Sequence, residues 1–468
     1  KYPVLSAEMM KTCKWAAAYY HYPIGQVLFN ALTPIHRKGS PSPDRKLVFN
    51  EKSSKFQLKL NEEQSEVVID IYKNIKQHKV HLLKGVTGSG KTEVYTQLAI
   101  DLLQSDAQVL IMVPEINLTP QTINRFKKYL DLEPLEYHSN LTTLQKFKVW
   151  RACREEDRLI IIGTRSSVFL PFQNLKLLVI DEEHDQSYKQ TEKFKYNARD
   201  IGIVRAKSLD CPVVLGTATP SFETIHNVSI KKYKQHLLKS RYFKSPLPLV
   251  TIVDTSIDKP DEGLSKTLKD EMKIELNKNN KVILFIGRRG FSNTVICSEC
   301  KTIVKCPKCD SNITYHKNVE RLICHHCGFS QSFNSVKPCC ENPCLVPLGI
   351  GTQRIENKVK NLFPDKNTLR VDSDNISSKS DLQNFIKKAN NNEIDVFIGT
   401  QMIVKGHDFD NVSLVGIINI DAGLYSTDFR GLEKTGQLIT QVSGRAGRQK
   451  VRGNVIIQTN NIVFLLNC

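Results

Sequence analysis

Residues 85–92 read Gly-Val-Thr-Gly-Ser-Gly-Lys-Thr and satisfy the phosphate-loop pattern G-x-x-x-x-G-K-[ST] in full. Just before them Val80, Leu82 and Leu83 form a short apolar run. Just after them Val94, Leu98, Ile100, Leu102 and Leu103 recur at helical spacing. Strand, glycine turn and helix is the context the motif requires. Gly85, Gly88 and Gly90 let the backbone curl so that the N–H groups of the loop, those of Val86, Thr87 and Ser89 included, point inward at phosphate oxygens. The N-terminus of the following helix adds partial positive charge. Lys91 reaches the β- and γ-phosphates, and the Thr92 hydroxyl holds Mg²⁺.

The bulk numbers bound the rest. A chain of 468 residues is too long for one ordinary domain. A net charge of +18 favours a polyanionic partner, nucleic acid first, although a Lys-rich composition raises charge by itself. There is no run of 18 apolar residues, so the sequence offers no membrane span, and the first residues do not read as a signal peptide. Nine of the 13 cysteines fall between Cys297 and Cys344. Such clustering in an otherwise Cys-poor chain points to metal ligation in a reducing cytoplasm rather than to a secreted disulfide scaffold.

Around the loop the pattern alternates between strand and helix. The runs 109–113, 159–163, 177–180 and 212–215 are continuously apolar, and each ends in polar residues: Pro114-Glu115, Thr164-Arg165, Asp181-Glu182-Glu183-His184 and Gly216-Thr217-Ala218-Thr219. Buried parallel sheets produce such strands and bind ligands at their carboxyl ends. Asp181 sits where the acid that holds Mg²⁺ through water is expected, and Glu182 where a residue would polarise the attacking water. Gln64, about twenty residues before the loop on an amphipathic helix capped by Asn61, can read an adenine edge or be a surface residue. A second set of strands follows at 281–286, 369–371, 394–398 and 414–418. Arg445 and Arg448, expected on a helix starting near Gly436, are spaced to act as arginine fingers toward a γ-phosphate. Between the acids and the next helix, Tyr188, Phe194 and Tyr196 stand among Lys189, Lys193, Lys195 and Arg199. The mixture suits stacking on unpaired bases, with local core packing as the alternative.

Three C-x-x-C pairs, Cys297/Cys300, Cys306/Cys309 and Cys324/Cys327, precede Cys339, Cys340 and Cys344. Paired knuckles of this kind converge on tetrahedral Zn²⁺, with an iron–sulfur cluster as the competitor. His316, His325 and His326 are further candidate ligands of lower weight.

The motifs G-S-G-K-T, D-E-E-H, G-T-A-T-P and Q-V-S-G-R-A-G-R together resemble the superfamily-two helicases. D-E-E-H-D-Q-S-Y-K-Q (181–190), G-R-R-G-F (287–291), I-G-T-Q-M-I-V-K-G-H-D-F (398–409) and the inserted C-x-x-C pairs resemble, more closely, the PriA family of bacterial replication-restart helicases. The resemblance implies an α/β protein of two RecA-like parallel-sheet lobes with an inserted cysteine-rich zinc module. ATP with Mg²⁺ would lie between the lobes, with Lys91, Thr92, Asp181 and Glu182 on one side and Arg445 and Arg448 on the other. It implies a 3′→5′ DNA helicase whose partners are DNA forks, single-stranded DNA, primosome proteins and single-strand-binding protein.

In the family one Zn²⁺ takes the inner pairs, here Cys306, Cys309, Cys324 and Cys327. The other takes Cys297 and Cys300 with the last pair, here read as Cys340 and Cys344 in preference to Cys339. The expected division is 1–35, the end of an N-terminal domain that grips a 3′ end; 36–58, a linker; 59–230, the first lobe; 231–292, the start of the second; 293–346, the zinc insertion; and 347–468, the rest of the second lobe. The family continues past this point with a C-terminal domain, so the chain reads as a truncated or fragmentary copy. A translocase on another nucleic acid and a decayed copy acting only as a binding platform remain the alternatives.

Overall fold

Apolar strands with polar ends fold as parallel sheets because both faces of each strand must be covered by helices. The computed structural model of the chain contains two such sheets. It describes residues 4–39, 57–114, 120–241, 246–287, 295–297, 299–300, 302–309, 311–316, 321–324, 326–333, 339–340, 345–347, 352–371, 388, 391, 393–400, 403, 411–424, 428–447 and 452–462. The chain divides into two units, Lys1–Tyr242 and Phe243–Cys468.

The first unit opens with three helices, α1 (Ala7–Tyr19), α2 (Ile24–Ala31) and α3 (Pro34–Arg37), followed by α4 (Glu62–Lys73). Then come β1 (Val80–Gly85), α5 (Lys91–Leu103), β2 (Gln108–Met112), α6 (Pro120–Lys127), β3 (Leu135–Tyr137), α7 (Thr143–Glu155), β4 (Leu159–Gly163), β5 (Leu175–Asp181), α8 (Ala198–Ser208), β6 (Val213–Thr217), α9 (Phe222–Ser229) and β7 (Lys234–Leu238). The seven strands lie in the order β3-β4-β2-β5-β6-β1-β7, and every pairing is parallel. Two edge strands, β3 and β7, extend the expected sheet. β7 pairs with β1 along His81–Gly85, so residues expected to open the second lobe at 231 belong to the first unit. Its sequence, Lys-Gln-His-Leu-Leu, is too polar to announce a strand, because an edge strand is only half covered.

The N-terminal helices share the core of this sheet. Met9, Cys13 and Ala16 have no exposed surface and pack in the cluster that holds Leu82, Leu110, Ile161 and Leu178. Arg205 on α8, 1% exposed, donates Nε to Glu8 Oε1 at 3.0 Å and Nη2 to Glu8 Oε2 at 3.1 Å. Its Nη1 donates to the Val168 carbonyl at 2.7 Å. The forked pair locks α1 to α8, since a buried guanidinium needs its charge and its donors both answered. Trp150 on α7 donates Nε1 to the Ala31 carbonyl at 3.1 Å and holds α2 in the same way.

The second unit carries β8 (Leu249–Asp254), α10 (Lys266–Asn277) and β9 (Lys281–Ile286), then five short strands: β10 (Val295–Cys297), β11 (Thr314–His316), β12 (Arg321–Ile323), β13 (Ser330–Ser332) and β14 (Leu345–Pro347). After them come α11 (Thr352–Leu362), β15 (Thr368–Val371), β16 (Val396–Gly399), β17 (Val412–Ile418), α12 (Asp421–Leu424), α13 (Gly431–Ser443) and β18 (Asn454–Thr459). The larger sheet runs β15-β16-β9-β17-β18-β8, again wholly parallel. β10 pairs antiparallel with β14, and β11, β12 and β13 form an antiparallel ribbon inserted between β9 and β15. No described helix is long and apolar enough to cross a membrane.

Candidate functional site

The phosphate loop links β1 to α5. Gly88 and Gly90 hold φ of 82° and 83°, the left-handed region in which a side chain is strained. Lys91, 9% exposed, folds back and donates Nζ to the Gly85 carbonyl at 3.1 Å. Thr92 follows as the second residue of α5. Gln64 is fully buried and spent on the protein itself. Its Oε1 accepts from the Asn61 backbone N–H at 2.9 Å, closing a capping box on α4. Its Nε2 donates to the Ser89 carbonyl at 3.0 Å and lies 3.4 Å from that of Gly90. A Cβ on Gly90 would overlap the Gln64 amide. In this structure the amide braces the loop, where the sequence reading allowed an adenine contact or a surface position.

Asp181 ends β5, and its Oδ1 accepts from the Tyr95 hydroxyl at 3.1 Å. Tyr95 is 1% exposed on α5, and its ring end occupies the space above Gly216, where any Cβ would collide with the hydroxyl. Burial and the adjacent Glu182 carboxylate push the Asp181 carboxyl up to about 7, with Lys91 opposing the shift. Glu182 takes φ of 46°, an uncommon left-handed conformation for a residue with a side chain, and so leaves the strand direction. Its Oε2 lies 3.7 Å from His184 Nδ1. His184 Nδ1 lies 2.8 Å from Thr217 Oγ1, and its Nε2 3.4 Å from Thr219 Oγ1, tying the acidic turn to the end of β6. Tyr95 and this His184–threonine link were missed as site residues. Only their places beside the two motifs could have flagged them, because an apolar helix position and a histidine after three acids carry no further signal.

The aromatic stretch behind Glu182 turns inward. Tyr188, Phe194 and Tyr196 are 1%, 3% and 4% exposed. Phe194 and Tyr196 stack at 5.0 Å, with Tyr20 and Tyr22 set edge-on to Phe194. The Tyr188 hydroxyl donates to the Asp181 carbonyl at 2.6 Å. Arg199 is likewise internal: its Nη1 donates to Glu183 Oε2 at 2.8 Å and its Nε to Asp200 Oδ1 at 3.0 Å, and against the lowering effect of burial the Asp200 and Glu183 carboxylates raise its pKa. Core packing therefore replaces the base-stacking role expected here. Only Lys189, Lys193 and Lys195 of the group are exposed.

In the second unit α13 runs Gly431–Ser443, starting earlier than Gly436. Arg445 lies in the turn beyond its end, with its backbone N–H donating to the Val442 carbonyl at 2.9 Å. Arg448 lies outside the described residues, as do 288–291 and most of the 398–409 stretch.

The thiols gather in two fours. Cys306, Cys309, Cys324 and Cys327 form one, with Sγ separations of 3.6 Å (Cys306–Cys327) and 3.4 Å (Cys309–Cys324). Cys297, Cys300, Cys339 and Cys340 form the other, with separations of 3.7 Å (Cys297–Cys340) and 3.5 Å (Cys300–Cys339). Four thiolates at ~2.3 Å from one tetrahedral Zn²⁺ stand roughly 3.8 Å apart, so both sets fit a single ion each. An iron–sulfur cluster, whose iron and sulfide core sits between the thiolates, would hold them farther apart. Cys339 takes the place that the sequence reading gave to Cys344, and Cys344 itself lies outside the described residues. The knuckles are shaped by backbone bonds, Cys306 N–H to the Ser311 carbonyl at 2.7 Å and Cys324 N–H to that of Phe329 at 2.8 Å.

Comparison with known proteins gives these sites a context. The DEAD/DEAH box helicase family matches residues 61–228, the 3′ DNA-binding domain (3′BD) matches 1–33, and the PriA DNA helicase Cys-rich region matches 306–331. Among solved structures, the DUF1998 helicase MrfA bound to DNA has a TM-score of 0.54 at 12% identity, covering 91% of this chain and 55% of that one. The DEAD-box helicase Mss116 bound to ssRNA and UDP-BeF has 0.51 at 14%, covering 87% and 71%. These share the fold. The replication restart protein PriA of Rickettsia felis is 40% identical over 98% of this chain and 71% of its own length. That of Haemophilus influenzae is 44% identical over 81% of this chain, and that of Bacillus subtilis 40% over 82%. The chain spans about half the length of these last two, 52% and 48%.

Fold and sites thus define a two-lobed protein with a DEAD/DEAH box helicase domain and an inserted cysteine ribbon. Within that class the chain belongs to the PriA replication-restart family.

Proposed function

We propose that this chain is the motor of an ATP-dependent 3′→5′ DNA helicase that acts at stalled or collapsed replication forks and begins primosome assembly. The observation that carries the reading is the convergence of Lys91, Asp181 and the Tyr95 hydroxyl at the carboxyl end of β1 and β5, in a chain whose first 33 residues match a 3′ DNA-binding domain.

The roles follow from the chemistry. The loop amides of residues 85–90 and Lys91 bind the nucleotide phosphates. Thr92 and Asp181 hold Mg²⁺, which would screen the phosphate charge when bound. Glu182 orients the attacking water, and Arg445 and Arg448 serve as arginine fingers. The two thiol sets each hold one structural Zn²⁺. DNA forks, single-stranded DNA, primosome proteins and single-strand-binding protein are the proposed partners, and thiolate ligation is consistent with a reducing cytoplasm.

Strand displacement on matched duplexes tests the direction. A 3′ single-stranded tail should support ATP-dependent unwinding and a 5′ tail should not. Unwinding from 5′ tails alone, or of RNA in preference to DNA at the same salt, would replace the proposal.

A further inference from the structure

Behind the phosphate loop, three metal-type donors meet from three elements. His81 lies in β1, His236 in β7 and Asp70 on α4. β1 and β7 pair in parallel, with His81 beside Lys234, so His236, two residues further on, shares that face of the sheet. His81 Nδ1 lies 2.9 Å from His236 Nε2, and Asp70 Oδ2 lies 3.6 Å from the same Nε2. All three donor atoms fall within 4.8 Å of one another. His81 has no exposed surface and His236 is 9% exposed, while Asp70 is half-buried and gives a way in.

We propose that Asp70, His81 and His236 form a third metal site, for a divalent ion of the zinc class. Bonds of ~2.0–2.2 Å to a tetrahedral ion place nitrogen and oxygen donors roughly 3.3–3.5 Å apart, and the two measured separations bracket that spacing. Two imidazoles and one carboxylate are a borderline ligand set of the kind zinc takes, and three protein ligands leave a fourth position for water. The two ring nitrogens share one hydrogen bond, so an ion held by both requires the ring that donates it to take its other tautomer. Lys234 Nζ lies 2.7 Å from Asp70 Oδ1 and 2.6 Å from Oδ2. It holds the carboxylate toward the rings and also competes with an ion for it, so this site is weaker than the two thiolate sites. A bound ion would tie α4, β1 and β7 together. α4 carries Gln64, which braces the loop, and β1 ends where the loop begins, so the ion would stiffen the frame of the nucleotide site. His81 and His236 are 155 residues apart, and no local pattern joins them.

The test adds Co²⁺ to the full chain already loaded with zinc, so that the thiolate sites are spectroscopically silent. One Co²⁺ per chain should bind, with weak visible bands and no thiolate-to-cobalt charge transfer. His236→Gln and Asp70→Asn should each abolish that binding while zinc content and far-ultraviolet circular dichroism stay unchanged. Should His236→Gln fail to fold, Asp70→Asn, at a half-buried position, reads the same quantity. Absence of saturable Co²⁺ binding, binding with thiolate charge transfer, or binding undiminished in Asp70→Asn would overturn the site.

Discussion

The phosphate loop and the cysteine ribbon both present groups suited to a charged ligand, yet they are held in opposite ways. The loop stands on its own chain. Lys91 is tethered to Gly85, Gln64 braces Ser89, and Tyr95 steadies Asp181, all beneath a seven-stranded sheet with an extensive core. Among the described residues the ribbon buries a small core of Val295, Cys306, Ile313, Leu322 and Cys324, and the eight thiols of the two sets face one another at 3.4–3.7 Å where neighbouring pairs meet. With one Zn²⁺ in each thiol set, as proposed, loop geometry would be supplied by packing and ribbon geometry by the ion. Damage to the two should separate chemistry from structure.

The largest expected effect is on the loop. Lys91→Ala removes the ammonium but leaves the sheet intact, so ATP hydrolysis should fall by about 10²–10³-fold while single-stranded DNA affinity changes only a few-fold. Steady-state hydrolysis and fluorescence anisotropy at fixed salt read the two. Next comes the ribbon. Cys306→Ser should lose one Zn²⁺ of two by elemental analysis and unfold the β11–β12–β13 ribbon, with unwinding falling more than DNA-stimulated hydrolysis. Retention of both ions, or iron in their place, would refute the two-ion assignment.

A smaller effect tests whether the N-terminal helices belong to the first unit. Glu8→Ala strands the buried Arg205 guanidinium and should cost ~3 kcal/mol in urea unfolding. An unchanged midpoint would mean that α1 contributes nothing to that core.

A further effect is a pH dependence. The folded-state pKa of Asp181 is raised, so its contribution to stability is present below the ordinary carboxylate range and is lost as pH rises through about 7. Compared with Asp181→Asn, the metal-free and nucleotide-free chain should lose thermal stability between about pH 4 and about pH 7. A flat difference across that window would remove the burial argument.

What could be read from sequence followed the range of each interaction. The phosphate loop, the acids of β5 and the C-x-x-C knuckles are local patterns, and so they were legible. The continuous apolar runs gave the central strands for the same reason. For Phe194 and Tyr196 core packing, the alternative, prevailed because their partners, Tyr20, Tyr22 and Phe169, come from distant segments, and for Tyr188 because its hydroxyl donates to the Met112 and Asp181 carbonyls. Gln64 could not be placed because both its alternatives, an adenine contact and a surface position, omitted the carbonyls of Ser89 and Gly90. β7 was hidden by its polarity. The fourth thiol of the outer set turned on whether Cys339 or Cys344 joins Cys297, Cys300 and Cys340, which spacing does not determine; Cys339 lies 3.5 Å from Cys300.

Single-stranded-DNA-stimulated ATP hydrolysis, measured on this chain beside Glu182→Gln, tests the central claim most directly. The account predicts that the wild-type chain hydrolyses ATP faster with DNA present. It predicts that Glu182→Gln still binds ATP but does not cleave it, because only the orientation of the attacking water is lost. Hydrolysis indifferent to DNA, or a Glu182→Gln chain that no longer binds ATP, would contradict it.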